Sequence, residues 1–340
     1  MSKKHRLQVG SERFYSGVIA MRQTARKSGR FHTLWLLAGL ALLWLTGCAT
    51  SSVPPMATGD HPLLGRIWDV EAGAFMNEAT LLNKLRGAEY LLLGEQHDNL
   101  VHHQHQTWII QQLALSHHQV SVSFEMIDDA QGKLLADHAA ENVETLIGML
   151  DQFSNHWNYT LNYQALFRAV LSEGYQIMPA NLNRQRLREI VTQGEDMLPA
   201  AYKKMLSMAG LTPAQMKNLR AEVAQSHCGM LDDEMVQRMV LAQRVRDAVI
   251  AHSLSKSQLP LKVLIAGSGH VRKDRGVPQY LASLDRDARI VSLGFAEVVS
   301  EDRDADHYAL HWGADRLPFD YVWFTPGVER GNLCAAFTDI

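Results

Sequence analysis

This 340-residue sequence predicts an α/β fold, with a mostly parallel sheet flanked by helices and an additional helical lobe. Three observations predict it. Short apolar runs empty into polar or glycine-rich turns, as Tyr90 to Leu93 does at Gly94 and Leu261 to Ala266 does at Gly267. Stretches of helical periodicity separate these runs, the alternation expected of a sheet with helical crossovers. A third stretch, about residues 186–252, is helical almost throughout and too long for a plain crossover, so it is expected to stand off the sheet as a lobe over the strand ends. A hydrophobic fraction of 46% supports a real core. Against 36 acidic residues, 33 basic ones leave a formal charge of −3, so no nucleic-acid partner is expected.

At the N-terminus, Arg22, Arg26, Lys27 and Arg30 precede the apolar run Leu34 to Leu45, and Thr46, Gly47 and Cys48 close it. Positive region, apolar core and small residues in that order make residues 1–47 a signal peptide. The apolar run is shorter than the roughly 20 residues that a membrane span needs. Leu45-Thr46-Gly47-Cys48 resembles a bacterial lipobox, which implies cleavage before Cys48, palmitate and related acyl chains on its thiol, and a lipid-anchored mature chain. Ala49 rather than an aspartate follows, so the outer membrane, on its periplasmic side, is the expected address. Either Met1 or Met21 can start such a signal. Residues 48–60, rich in Ser, Pro and Gly, read as a flexible tether to a folded domain over 61–340.

In that domain Ile67 to Val70 reads as a short strand, and Asn77-Glu78 leads a helix that stops near Gly87. Glu89 to Leu93 is the first long strand. The periodicity from Leu100 to His117 predicts a helix, and Gln119 to Phe124 a strand with Glu125 at its end. Strand, helix, strand is the parallel crossover unit, so Glu95 and Glu125 are expected as neighbours at one sheet edge. Helices follow over Lys133 to Ala139, Val143 to Leu150 and Tyr163 to Glu173, with the aromatic segment His156 to Tyr159 among them. The strand Tyr175 to Pro179 delivers Asn181, Asn183 and Arg184. Thr212 is set to cap a helix that Pro213 opens, Gly229 to stop it, and Pro278 to open another. Strands at Arg289 to Leu293 and Tyr321 to Phe324 complete the expected sheet.

The polar groups converge on the strand ends. Glu95 and His97 stand two residues apart in Gly94-Glu95-Gln96-His97, and Glu125, Asn181, Arg184 and His270 fall at the ends of other strands of the same sheet. In an open α/β sheet such ends are where ligands bind. Acid and imidazole groups there suit general acid/base work or a metal. His103 is expected to look back to this cleft, with His102 and His105 on a solvated helix face. Gly267-Ser268-Gly269-His270 lacks the third glycine of a dinucleotide turn, because Arg272 occupies its place. Its glycines are expected instead to let the backbone turn so that His270 faces the pocket. No Gly-x-Ser-x-Gly elbow, Walker loop or His-Glu-x-x-His is present. Cys228 and Cys334 have two readings: a disulfide, or a free Cys228 beside His227 as a soft-metal ligand.

Tyr163, among Trp157, Tyr159 and Phe167, and His227, near Met205, Met208, Met216 and Met230, also have two readings. Tyrosinate and imidazole both ligate haem iron, whereas aromatics and methionines at helical spacing also make ordinary core.

Taken together, Gly94-Glu95-Gln96-His97-Asp98-Asn99, Phe124-Glu125, Pro179-Ala180-Asn181 with Arg184, Ser226-His227-Cys228-Gly229-Met230, Gly267-Ser268-Gly269-His270 with Gly276-Val277-Pro278, and Asp320 to Pro326 resemble the ChaN-type haem-binding lipoproteins from about His61 to Phe337. The resemblance implies haem bound at the helical lobe, a haem-linked homodimer with stacked haems, and a role in iron acquisition. Its iron ligands, a tyrosine and a histidine from different protomers, carry over to Tyr163 and His227, with Tyr159 as the other candidate tyrosine. The strand-end cluster is similar to that of a wider superfamily containing erythromycin esterases and the Tiki and TraB proteases. That similarity implies an alternative function, a metal-dependent hydrolase using Glu95, His97, Glu125 and His270.

Overall fold

The computed structural model describes residues 59–137, 142–152, 157–331 and 334. The signal segment, Cys48, most of the tether and His156 lie outside the described residues. Eight strands form one sheet: β1 (Ile67–Asp69), β2 (Ala74–Met76), β3 (Tyr90–Glu95), β4 (Val120–Asp128), β5 (Gln176–Asn181), β6 (Leu261–Gly267), β7 (Ile290–Glu297) and β8 (Tyr321–Thr325). Their order is β2-β1-β8-β7-β3-β6-β4-β5. β3 to β8 run parallel, and β1 pairs antiparallel with both β8 and β2.

Each strand follows from its residues. β3 is buried at all six positions, as an interior strand covered on both faces must be. Alternate side chains serve alternate faces: Leu92 and Leu264 enter one apolar cluster, and Leu91, Leu93, Val263 and Ile265 the other. The two short strands β1 and β2 turn at Gly73, whose φ of +61° is the left-handed conformation that glycine adopts without strain. β2 is mostly exposed and only three residues long, which is why the sequence pattern does not show it.

The helices are α1 (Glu78–Leu85), α2 (Leu100–Ala114), α3 (Asp129–Asp137), α4 (Val143–Asp151), α5 (Tyr159–Asn162), α6 (Gln164–Ser172), α7 (Arg184–Gln193), α8 (Ala200–Met208), α9 (Pro213–Ser226), α10 (Asp233–Lys256), α11 (Ser268–Val271) and α12 (Val277–Leu284). Side-chain caps fix their starts: Asn77 accepts from the Thr80 N–H, Asn99 from Val101, and Asn183 from Arg186. Thr212 and Gln215 form a reciprocal capping box, with Pro213 in the first turn as expected.

Two expectations are corrected. β3 and β4 are not neighbours, because β6 inserts between them and pairs with both. The region 186–252 does not stand wholly off the sheet. Ile190, Leu198, Met205, Leu206 and the α10 residues Val245 to Leu254 belong to the same apolar cluster as Leu92 and Leu264. Only α9 and the first half of α10 keep a small core of their own, Leu219, Val236 and Val240.

Candidate functional site

The carboxyl ends of β3, β4 and β6 bring together a buried network of ionisable groups. Gly94 lets β3 and α11 approach closely: a Cβ there would lie 2.3 Å from Val271 Cγ2 and 3.0 Å from Ser268 Cα. The next residue, Glu95, is 1% exposed and its carboxylate is saturated with donors. Its Oε1 accepts from Tyr163 Oη at 2.6 Å and from His97 Nδ1 at 2.8 Å, and its Oε2 accepts from Gln106 Nε2 at 2.8 Å. Burial opposes its ionisation, but the charges of and hydrogen bonds from His103 and His97 outweigh it and hold the carboxyl well below the ordinary range.

Glu125 takes the corresponding place on β4. Its Oε2 accepts from the Gly267 N–H at 2.8 Å, and its Oε1 pairs with Arg246 and lies 3.3 Å from His270 Nε2. Burial again opposes ionisation, and His270, Arg246 and His97 reverse it, leaving the carboxyl well below its usual value. Although β6 separates their strands, the two glutamates do converge, and His97 spans them: Nδ1 is tied to Glu95, and Nε2 is 3.7 Å from Glu125 Oε2. Gly267 makes room for this, since a Cβ there would lie 2.9 Å from His97 Nε2. Gly269 faces open space without positive φ, so its expected role in turning the backbone is not required.

His270 is the second pillar. Its Nδ1–H donates to Asp247 Oδ1 at 2.5 Å, which aims Nε2 at Glu125. Burial works against the imidazolium, but Glu125 and Asp247 on its two sides push the pKa up to about 9. Asp247 and Arg246 were not foreseen from sequence. The readable signal was Asp247 itself, a charge within the apolar run Val245, Ala248, Val249 of α10. His97 is the accessible member, with a side chain 35% exposed and packed edge-on against Trp157. Burial opposes its charge, while Glu125 and Glu95 push its imidazole up.

His103 does look back, as expected: it is buried, lies over the Tyr163 ring, and places Nε2 3.5 Å from Glu95 Oε2. His102 and His105 are not on a solvated face. His102 accepts from the Gln96 N–H and bonds Thr325 Oγ1, and burial lowers its pKa to about 3. His105 stacks on Trp323 at 4.0 Å. Asn181 donates to the Glu125 carbonyl and Arg184 lies in the first turn of α7. Both line a cleft of about 550 Å³ together with Glu125, Trp157, Leu182 and Arg246. Among the described residues, no group of three or more His, Cys, Asp and Glu side chains could hold a metal ion.

The two expected iron ligands lie apart. Tyr163 is not in the lobe but at the junction of α5 and α6, fully buried, with its hydroxyl given to Glu95. Burial and the Glu95 charge push its phenol well above the ordinary range, and Tyr159 is likewise enclosed, donating to the Met126 carbonyl. Neither offers a tyrosinate to an outside ligand. His227, in contrast, is half-buried at the end of α9, where its Nδ1–H donates to the Val223 carbonyl at 2.8 Å and leaves Nε2 as an acceptor. Cys228, at φ +59°, is disulfide-bonded to Cys334, which removes the soft-metal reading. Met208, Met230 and Met235 of this region are exposed. A cavity of about 410 Å³ alongside α9 and α10 is lined by Met216, Val240, Leu241, Arg220, Arg238 and Arg244.

With this geometry in hand, comparison adds the following. A family model described as haem-binding uptake, Tiki superfamily, ChaN matches residues 81–281. No curated protein matches the chain. Among solved structures, a ChaN of Campylobacter jejuni described with cofacial haem binding is similar in fold, with a TM-score of 0.58 at 19% identity over 78% of this chain and 97% of that one. An erythromycin esterase mutant in its open conformation gives 0.43 at 12% identity, covering 76% of this chain and 95% of that one. The type III effector HopBA1 gives 0.41 at 12%, covering 73% and 92%.

Proposed function

The chain belongs to the haem-binding uptake family, Tiki superfamily, ChaN, and from that premise we propose that it binds haem in iron acquisition, with His227 as an iron ligand. The match over residues 81–281, which includes His227, carries this reading. The residues fit the group. Histidines that ligate metals hold their second N–H on a carbonyl or carboxylate, and Val223 does this for His227. Exposed Met208, Met230 and Met235 offer an apolar, adaptable surface for a flat macrocycle. Arg220, in the cavity of α9 and α10, offers a cation to a propionate. Haem iron would supply the open coordination position.

The Tyr163 ligand is withdrawn, because its enclosed hydroxyl already serves Glu95. The second axial position would then be filled by another protomer or by solvent. The remaining parts of the proposal are a lipid anchor at Cys48, an outer-membrane address facing the periplasm, and a homodimer formed on haem. Hemin titration of the full chain in non-ionic detergent, followed by size exclusion, tests haem binding and the dimer together. A saturable Soret band with a shift to dimer size supports the reading, and the absence of saturation contradicts it.

The strand ends favour a second reading, hydrolysis. Glu95 orients the accessible His97 through Nδ1, an arrangement that suits a general base acting on water. Each of Glu95 and Glu125 is already engaged by histidine, arginine or amide donors, and among the described residues no ligand set is found for the metal-dependent form of this reading. Release of 4-nitrophenol from 4-nitrophenyl acetate, lost in His97→Ala, is the expected signature, and equal rates in both proteins would remove it.

A further inference from the structure

The cleft at the strand ends is lined by two carboxylates, Glu125 and Asp128, and two guanidiniums, Arg184 and Arg246. Its acidic members are already served: Glu125 is countered by Arg246 and His270, and Asp128 Oδ1 accepts the N–H groups of Ala130 and Gln131 at the start of α3. Arg184 lines the same cleft as an exposed side chain with no hydrogen-bond or ion-pair partner among the described residues, and Nε of Arg246, another lining residue, is buried without an acceptor. The cleft is also bounded by the first turn of α7, a ten-residue helix whose positive end adds to the field of Arg184. The apolar part of the lining is Met126, Trp157, Leu182 and Leu187. At about 550 Å³ it has room for a small molecule and is lined by a few convergent polar groups on an apolar wall.

We propose that this cleft is a binding site for a small organic oxyanion, a carboxylate or phosphate monoester on an apolar body, selected by Arg184. It is distinct from the haem surface at His227. A guanidinium matches such oxygens in a fixed planar fork, and Arg184 needs no bond broken to do so. Arg246 already spends one nitrogen on Glu125, so it supports the anion while Arg184 sets the preference for charge.

Isothermal titration of the full chain in non-ionic detergent with phenylacetate, phenyl phosphate and neutral 2-phenylethanol tests this. The expected result is saturable binding of at least one anion, about tenfold or more tighter than the alcohol, as one charge-assisted hydrogen bond provides. The two anions separate carboxylate from phosphate chemistry. Arg184→Ala is expected to abolish the preference, Arg184→Lys to keep part of it, and both to leave hemin saturation unchanged. No saturable heat with either anion, equal affinity for the alcohol, or an Arg184→Ala protein that still prefers the anion would overturn the proposal. Loss of anion binding after preloading with hemin would also overturn it, by making the cleft part of the haem site. Failure of hemin to bind in wild type leaves the anion result standing, so the two readings fail separately.

Discussion

At the scale of single residues, the strand-end cluster is held together by donors around two buried carboxylates. Removing one donor leaves oxygen lone pairs of Glu95, itself 1% exposed, short of a partner. Tyr163→Phe is therefore expected to lower unfolding stability by about 1–3 kcal/mol in urea titration. The same substitution is expected to leave the hemin Soret band where it is, since Tyr163 faces Glu95 rather than an open surface. His270 gives a pH dependence of defined sign. Its folded pKa of about 9 lies above the unfolded value near 6.5, so its contribution is complete below about pH 6.5 and is lost as pH rises through 9. On the acid side Glu95 and Glu125 act oppositely, contributing above about pH 4.3 and losing that contribution as pH falls through their lower folded values. The unfolding free energy from urea titration should thus decline from pH 6.5 to 9 by an amount on the order of a few kcal/mol, and His270→Asn should flatten that slope.

At the scale of elements, close approach decides more than local propensity does. β3 and α11 meet across Gly94, and a methyl group there has nowhere to go: Gly94→Ala is expected to cost about 1–3 kcal/mol, read as a lower urea midpoint. Most elements were legible because apolar runs and caps are local signals: the strands at residues 90 and 261, the Thr212 box and the Gly229 stop needed only neighbouring residues. What was not legible was pairing. Strand, helix, strand suggested that β3 and β4 touch, but β6 arrives from more than a hundred residues downstream to lie between them. Glu95 and Glu125 were nevertheless expected together, and they converge because both stand at carboxyl ends of the same parallel sheet. His102 and His105 were misplaced for a related reason: their helix is covered by Thr325, Phe295 and Trp323, contributed from far along the chain. Asp247 and Arg246 escaped notice because a helix face shows which residues are buried without showing what they meet.

For the molecule as a whole, the two proposed functional regions have different mechanical support. The strand-end network sits between the two large apolar clusters of the sheet, whereas α9 and the start of α10 rest on only Leu219, Val236 and Val240 as buried core. The Cys228–Cys334 disulfide, closing a loop across 106 positions beside His227, compensates for that thin core. Reducing it is expected to cost about 2–4 kcal/mol of stability, measured as a drop in the urea midpoint with a phosphine reductant. Division of labour also follows. Haem is proposed for the surface around His227, and acid, base and anion recognition for the carboxyl end of the sheet.

His227 is the residue proposed to meet iron. The most direct measurement is the absorption spectrum of the hemin complex of the full chain, recorded for wild type and for His227→Ala. A Soret band that shifts, with hemin affinity falling about tenfold or more, is the result predicted. Superimposable spectra and equal affinities in the two proteins would contradict it.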